Sequence, residues 1–214
     1  MIARGRAAVL AEDSDFKESD HPRQKDGKFG KGSGEAAYVD LSKSLPEASK
    51  DEAWVLRRYH DGGGGWENDA LRAGGTRDRD VNVRINLLQG FLGRAKIPRN
   101  MTVYRGLHGK FGKSLLENLK EGMVIHEKGF LSTSASPSIA KRFQGGMFFK
   151  KGYPVLEISV KAGAKGAAID KWDPFKEKKE ATRNQEVLFQ SGSKMKVRSW
   201  DPKTNVIKVD LEQD

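Results

Sequence analysis

Apolar residues recur at helical spacing in the first half of the chain and alternate at period two in the second. The pattern predicts helices from Ala36 to Leu45 and from Asp51 to Tyr59. In the latter, Ala53, Leu56 and Tyr59 repeat at spacing three, with Trp54 beside them. Asp61 and the glycines Gly62 to Gly65 make a loop, and WENDALRAGG then reads as a short helix stopped by glycine. A further helix, from Val81 to Ala95, places Val83, Leu87, Leu88, Phe91 and Leu92 on one face, and Pro98 ends it. From Met101 the texture turns to strands. They run from Met101 to Tyr104, Gly129 to Ser134, Val155 to Val160, Ala167 to Ile169, Glu186 to Gln190, Lys194 to Arg198 and Asn205 to Leu211. Helices from Ser114 to Glu121 and from Ser136 to Phe143 interrupt them. Helices first and short strands later is the order of an α+β domain and not of repeating βαβ units.

Residues 12–35 break this texture, carrying only two apolar side chains, Phe16 and Phe29, among charges and glycines. Such a segment buries too little surface to offset the entropy of ordering it, so residues 1–34 read as a flexible tail or linker and 35–214 as one domain. The chain has no cysteine, which excludes disulfides, a thiol nucleophile and a cysteine metal site. No stretch approaches the roughly 18 apolar residues of a membrane span. The apolar run from Ala7 to Ala11 is too short for a signal-peptide core, which suggests a soluble protein of a reducing compartment or one delivered without such a peptide. A net charge of +10 favours approach to nucleic acid, anionic membrane or an acidic protein face, and equally serves plain solubility.

The histidines, at 21, 60, 108 and 126, lie apart and none pairs at metal spacing, so they are expected at the surface with no metal. Gly62 to Gly65 lack the Lys-Ser/Thr ending of a phosphate loop and read as a hinge. Three polar features on strands carry more chemistry. Arg105 ends the strand Met101 to Tyr104 beside Gly106, a place suited to bidentate phosphate binding as well as to an ordinary strand-end arginine. In Ser132-Thr133-Ser134, alternation puts the two serines on one face and the threonine on the other. That arrangement fits either a ligand-orienting pair or a polar edge strand. Asn184 and Glu186 lead into the apolar Val187-Leu188-Phe189, where a carboxylate is costly without partners.

In this order, Tyr104-Arg105-Gly106, Ser132-Thr133-Ser134 and Asn184-x-Glu186, the chain resembles the arginine–serine–glutamate class of mono-ADP-ribosyltransferase toxins and exoenzymes. Tyr59 followed by Trp66-Glu67-Asn68-Asp69-Ala70-Leu71-Arg72 is similar to that family's Tyr…aromatic-x-Asn-x-x-Leu-Arg helix. The resemblance spans roughly residues 36–212. It implies an α+β fold of two facing, mainly antiparallel sheets under an N-terminal helical layer, with NAD as co-substrate in the cleft and no metal. It implies a catalytic set of Glu186, Arg105 and Ser132. Arg105, Arg72 and Arg142 would clamp the diphosphate, and Gly106 would hold the carboxamide. Asn68 would sit near the same pocket, Thr133 and Ser134 would support it, and Phe143 would shield nicotinamide.

The sequence departs from the family at the acceptor side. Asn184 stands where the family carries Glu or Gln, and Ala181 where it carries an aromatic; Trp172 and Phe175 are the candidates to replace that aromatic in substrate recognition. The implied acceptor is a host protein, with nucleic acid as the alternative partner, for an enzyme expected to be monomeric. Two other functions stay open: an NAD glycohydrolase, and an inactive transferase fold serving as a basic virion or nucleic-acid-binding module. The tail from Phe16 to Arg23 is similar to linkers of tailed-phage head proteins, which implies delivery with a virion into a bacterial cytoplasm.

Overall fold

The computed structural model describes residues 38, 41–144, 153–172 and 185–213. The tail, Asn184, Phe175 and Ala181 lie outside the described residues.

Three helices form the N-terminal layer. α1 (Lys50–Arg58) opens on a capping box in which Ser49 Oγ accepts the Glu52 N–H at 3.2 Å and Glu52 Oε2 accepts the Ser49 N–H at 2.9 Å. Glu52 also accepts from Arg94 Nη2, at 3.0 and 2.9 Å, which pins α1 to the end of the third helix. The chain then widens into a π-like turn, Tyr59–Gly63, kinked where Asp61 and Gly62, the latter at φ 89°, leave helical geometry. α2 (Gly65–Arg72) ends where Gly74 and Gly75 take positive φ and donate back to Leu71 O and Ala70 O, a Schellman closure.

α3 (Arg79–Arg94) is capped by Asp78, whose Oδ1 accepts the N–H groups of Asp80 and Val81. Its buried face is Val81, Leu88, Phe91 and Leu92. The expected placement of Val83 on that face is wrong. Val83 lies two residues and so about 200° around the helix from Val81, on the solvent side.

Eight strands follow: β1 (Met101–Gly106), β2 (Val124–Glu127), β3 (Leu131–Ser134), β4 (Val155–Val160), β5 (Gly166–Ala168), β6 (Glu186–Phe189), β7 (Ser193–Asp201) and β8 (Val206–Glu212). Two helices interrupt them, α4 (Gly109–Asn118), five residues ahead of the expected Ser114 start, and α5 (Pro137–Arg142). The strand order is β2-β7-β8-β4-β1-β3-β6-β5, and β4 with β8 is the parallel pair. Where two facing sheets are expected, the described strands form one mixed eight-stranded sheet of two ladders, β2-β7-β8-β4-β1 and β3-β6-β5, joined between β1 and β3 at one register position, Tyr104 opposite Ser134.

Two cores flank the strands. One gathers Val103, Leu156, Ile158, Val197, Ile207 and Val209 from the larger ladder. The other packs Leu56, Leu88, Phe91 and Leu92 of the helices against Phe130, Ala167 and Leu188.

Candidate active site

The joint between the ladders opens a cleft of about 370 Å³. Arg105 and Gly106 reach it from the end of β1, Ser132 to Ser134 from β3, Glu186 from the start of β6 and Phe143 from the end of α5. Ser132 stands opposite Leu188, and Ser134 opposite Glu186, so Ser132 and Glu186 are diagonal neighbours on one face. The Ser132 hydroxyl donates to Glu186 Oε1 at 2.6 Å. Thr133, pointing the other way, donates to Val187 O at 2.7 Å, and Ser134 Oγ accepts the Ser136 N–H at the head of α5.

The partners demanded by a carboxylate beside an apolar strand are present. Glu186 N–H donates to Asp170 Oδ1 at 3.0 Å, and His60 Nδ1 lies 2.8 Å from Glu186 Oε2. Gln185, just before it, is a non-glycine residue at φ 45°, a costly left-handed conformation that turns the chain into β6. The expectation of surface histidines fails at His60, whose side chain is 4% exposed. No spacing rule could have found it, because its partner is 126 residues away. His60, Asp170 and Glu186 place one ligand-type atom each within 4.8 Å of one another, and the 2.8 Å contact makes His60 and Glu186 a hydrogen-bonded pair.

The two arginines meet at a residue that sequence reasoning passed over. Glu127, at the end of β2, accepts from Arg72 Nε at 3.0 Å and Nη2 at 3.1 Å, from Arg105 Nη2 at 3.0 Å and from the Gly129 N–H at 2.9 Å. Four strand spacings separate β2 from β1, about 19 Å across a flat sheet, so this contact requires a strongly coiled ladder. Burial pushes the Glu127 carboxyl up, but the Arg72 hydrogen bonds, the Arg105 charge and the Gly129 amide outweigh it and hold it below the usual range. The same hydrogen bonds raise Arg72.

Asn68 is engaged away from the cleft lining. Its Nδ2 donates to Tyr59 OH at 2.9 Å and its Oδ1 accepts the Phe130 N–H at 2.8 Å, tying α2 to the π turn and to the chain leading into β3. Burial raises the Tyr59 phenol well above its ordinary value. Arg72 reaches the cleft residues through Glu127, and Arg142 is exposed. Phe143 is 58% exposed. Trp172 is half-buried, edge-on to Phe91 with ring centroids 5.1 Å apart, so packing against α3 occupies it.

Gly106 is required by the fold itself. A Cβ there would stand 2.2 Å from Ala140 O and 2.9 Å from Gln144 N, so only glycine lets α5 dock on β1. Gly106→Ala is expected to cost about 1–3 kcal/mol through this backbone overlap, measured by denaturant unfolding. Wild-type stability would show that α5 can retreat.

Comparison with known proteins gives this arrangement a class. The chain superposes on Plx2a, an ADP-ribosyltransferase toxin from Paenibacillus larvae, with a TM-score of 0.64 over 85% of this chain and 97% of that one, at 19% identity. It also superposes on Exoenzyme S from Pseudomonas aeruginosa, solved with human 14-3-3 protein beta and bound to carba-NAD. There the TM-score is 0.57 over 85% of this chain and 88% of that one, at 21% identity. The fold is therefore ADP-ribosyltransferase-like. A family profile described as ADP-ribosyltransferase exoenzyme matches residues 31–213, and the chain belongs to that family. Exoenzyme T of Pseudomonas aeruginosa is 35% identical over 74 residues, a match spanning 32% of this chain and 16% of that protein. Among the described residues no helix is long and apolar enough to cross a membrane.

Proposed function

We propose that the chain transfers ADP-ribose from NAD to a macromolecular acceptor and releases nicotinamide. The observation that carries this reading is the hydrogen-bonded Ser132–Glu186 pair in the same cleft as Arg105, inside a chain of this family. Exoenzyme S, which shares the fold, was solved with an NAD analogue bound.

The chemistry follows from charge. NAD carries two negative charges on its diphosphate; Arg72 and Arg105 with Glu127 leave one net positive charge to meet them. Breaking the bond between nicotinamide and ribose moves its electron pair onto the nicotinamide nitrogen and leaves an oxocarbenium-like ribose. Glu186, as an anion oriented by Ser132, stabilises that positive charge. An acceptor nucleophile then bonds to the ribose carbon and gives up its proton to solvent. Phe143 shields the departing ring from water. The acceptor we propose is a host protein.

Arg105→Lys retains the charge but loses the planar fork, and is expected to weaken NAD binding about tenfold, the equivalent of 1.4 kcal/mol. Titration calorimetry measures it, and unchanged affinity removes Arg105 from the binding site. The function itself is tested with NAD labelled on its adenylate half, incubated with the purified chain and a cell lysate. Nicotinamide release with label retained on protein supports transfer. Nicotinamide release with no retained label reassigns the chain as an NAD glycohydrolase, and label on nuclease-sensitive material makes nucleic acid the acceptor. Neither release nor retention would overturn the enzymatic reading.

A further inference from the structure

The chemistry proposed for Glu186 leaves one buried neighbour unused. His60 sits on the kinked turn Tyr59–Gly63 and is part of the cleft lining. Its Nδ1 meets Glu186 Oε2 at 2.8 Å and lies 3.9 Å from Asp170 Oδ1. An ionised carboxylate only accepts hydrogen bonds, so Nδ1 carries the proton and donates it. Ser132 donates to the other oxygen, Oε1, at 2.6 Å. Each oxygen of Glu186 is therefore held by one side-chain donor, while Asp170 holds its backbone N–H at 3.0 Å.

We propose that His60 is a positioning residue for Glu186, holding the carboxylate oxygen that Ser132 does not hold, so that the anion is aimed before substrate arrives. The proposal rests on the reading of Glu186 as the group that stabilises the ribosyl cation. A glutamate has three rotatable bonds between backbone and carboxylate, and one hydroxyl donor leaves the carboxylate free to swing about that contact. A second donor on the other oxygen removes that freedom, and a fixed anion reorganises less as charge develops. Asp170 contributes twice: it anchors the backbone of Glu186, and its charge on the same side of the imidazole favours the ring orientation with Nδ1–H toward both carboxylates.

The test compares the full chain with His60→Ala and His60→Asn in steady-state nicotinamide release. Asparagine places an amide N–H near the position of Nδ1 and cannot titrate. His60→Ala is expected to lower kcat about tenfold or more while KM for NAD stays within about twofold, because orientation acts on the transition state. His60→Asn is expected to recover most of the lost kcat. Wild-type kcat in His60→Ala, a loss confined to KM, or equal impairment of both variants would each overturn the proposal.

A second measurement does not depend on turnover or on the variants of His60. Long-range ¹H–¹⁵N spectra of the wild-type imidazole at about pH 8, above the ordinary histidine range, are expected to show a protonated Nδ1. An unprotonated Nδ1 in the wild-type chain would overturn the pairing, and with it the positioning role. Absence of nicotinamide release in the wild-type chain, alongside the expected spectra, would instead overturn the enzymatic reading and keep the pair.

Discussion

Glu186→Gln is expected to lower nicotinamide release from NAD by at least about 100-fold while leaving the fold and NAD binding intact. Glutamine has the same shape, and both of its neighbours can adapt. Its amide oxygen can take the His60 Nδ1–H, and its NH₂ can donate to a Ser132 hydroxyl that has turned round. The arginines bind Glu127 and not Glu186, so the contacts proposed for the diphosphate are untouched. The negative charge alone disappears, and with it the stabilisation of the ribosyl cation. Single-turnover nicotinamide release and calorimetric NAD affinity, measured on the same preparation, separate the two effects. Wild-type release in the variant would remove Glu186 from the chemistry. Loss of affinity equal to the loss of rate would make it a binding residue.

Glu127→Ala is expected to be the most destabilising of the substitutions considered. Removing one partner of a buried ion pair costs about 3–5 kcal/mol when both charges are buried. Here the Arg72 side chain is 43% exposed and Arg105 20%, so water recovers part of that cost. A loss of about 2–3 kcal/mol remains, which corresponds to roughly 5–10 °C in Tm for a domain of this size. The pH dependence has a definite sign. The folded carboxyl titrates below its ordinary value of 4.5, so its contribution is complete above that pH and is lost as pH falls through the lower, folded value. The wild-type and alanine melting curves should accordingly converge on acidification and stay apart from pH 5 upward, within about one unit. An unchanged Tm at neutral pH would mean that the arginines hold their positions without Glu127.

Arg105, Ser132 and Glu186 stood out in the sequence as an ordered set of motifs, since each taken alone reads as well as an ordinary strand residue. Period-two alternation put Ser132 with Ser134 on one face of its strand and Asn184 with Glu186 on one face of the other, while the β3–β6 register that sets Ser132 diagonal to Glu186 is a long-range pairing that alternation does not record. Strand β2 was not legible. In Val124-Ile125-His126-Glu127 the inward-facing positions are Ile125 and Glu127, so a charge occupies a core position and the alternation reads as noise. The residue that hides the strand is the one that holds both arginines. Val83 misled for the opposite reason, being apolar on the exposed side of α3. His60 and Asp170 were out of reach because their partners come from elements far apart in the chain, and a single sequence records spacing and not proximity. Asn68 shows a further limit. A motif fixes a residue type, while the structure spends both ends of that amide on joining α2 to the chain around Tyr59 and Phe130.

Strand β6 sends Val187 and Phe189 into the core of the larger ladder and Leu188 into the core under the helices. Because one short strand is wall to both, neither core can open without uncovering it. Backbone amides from Val187 to Phe189 should therefore exchange with solvent only through global unfolding, among the slowest in the molecule, whereas the π turn carrying His60 can open locally. The carboxylate at the head of β6 thus stands on a strand walled in by both cores, and the groups that meet it from the turn are expected to stand on a part that gives more readily.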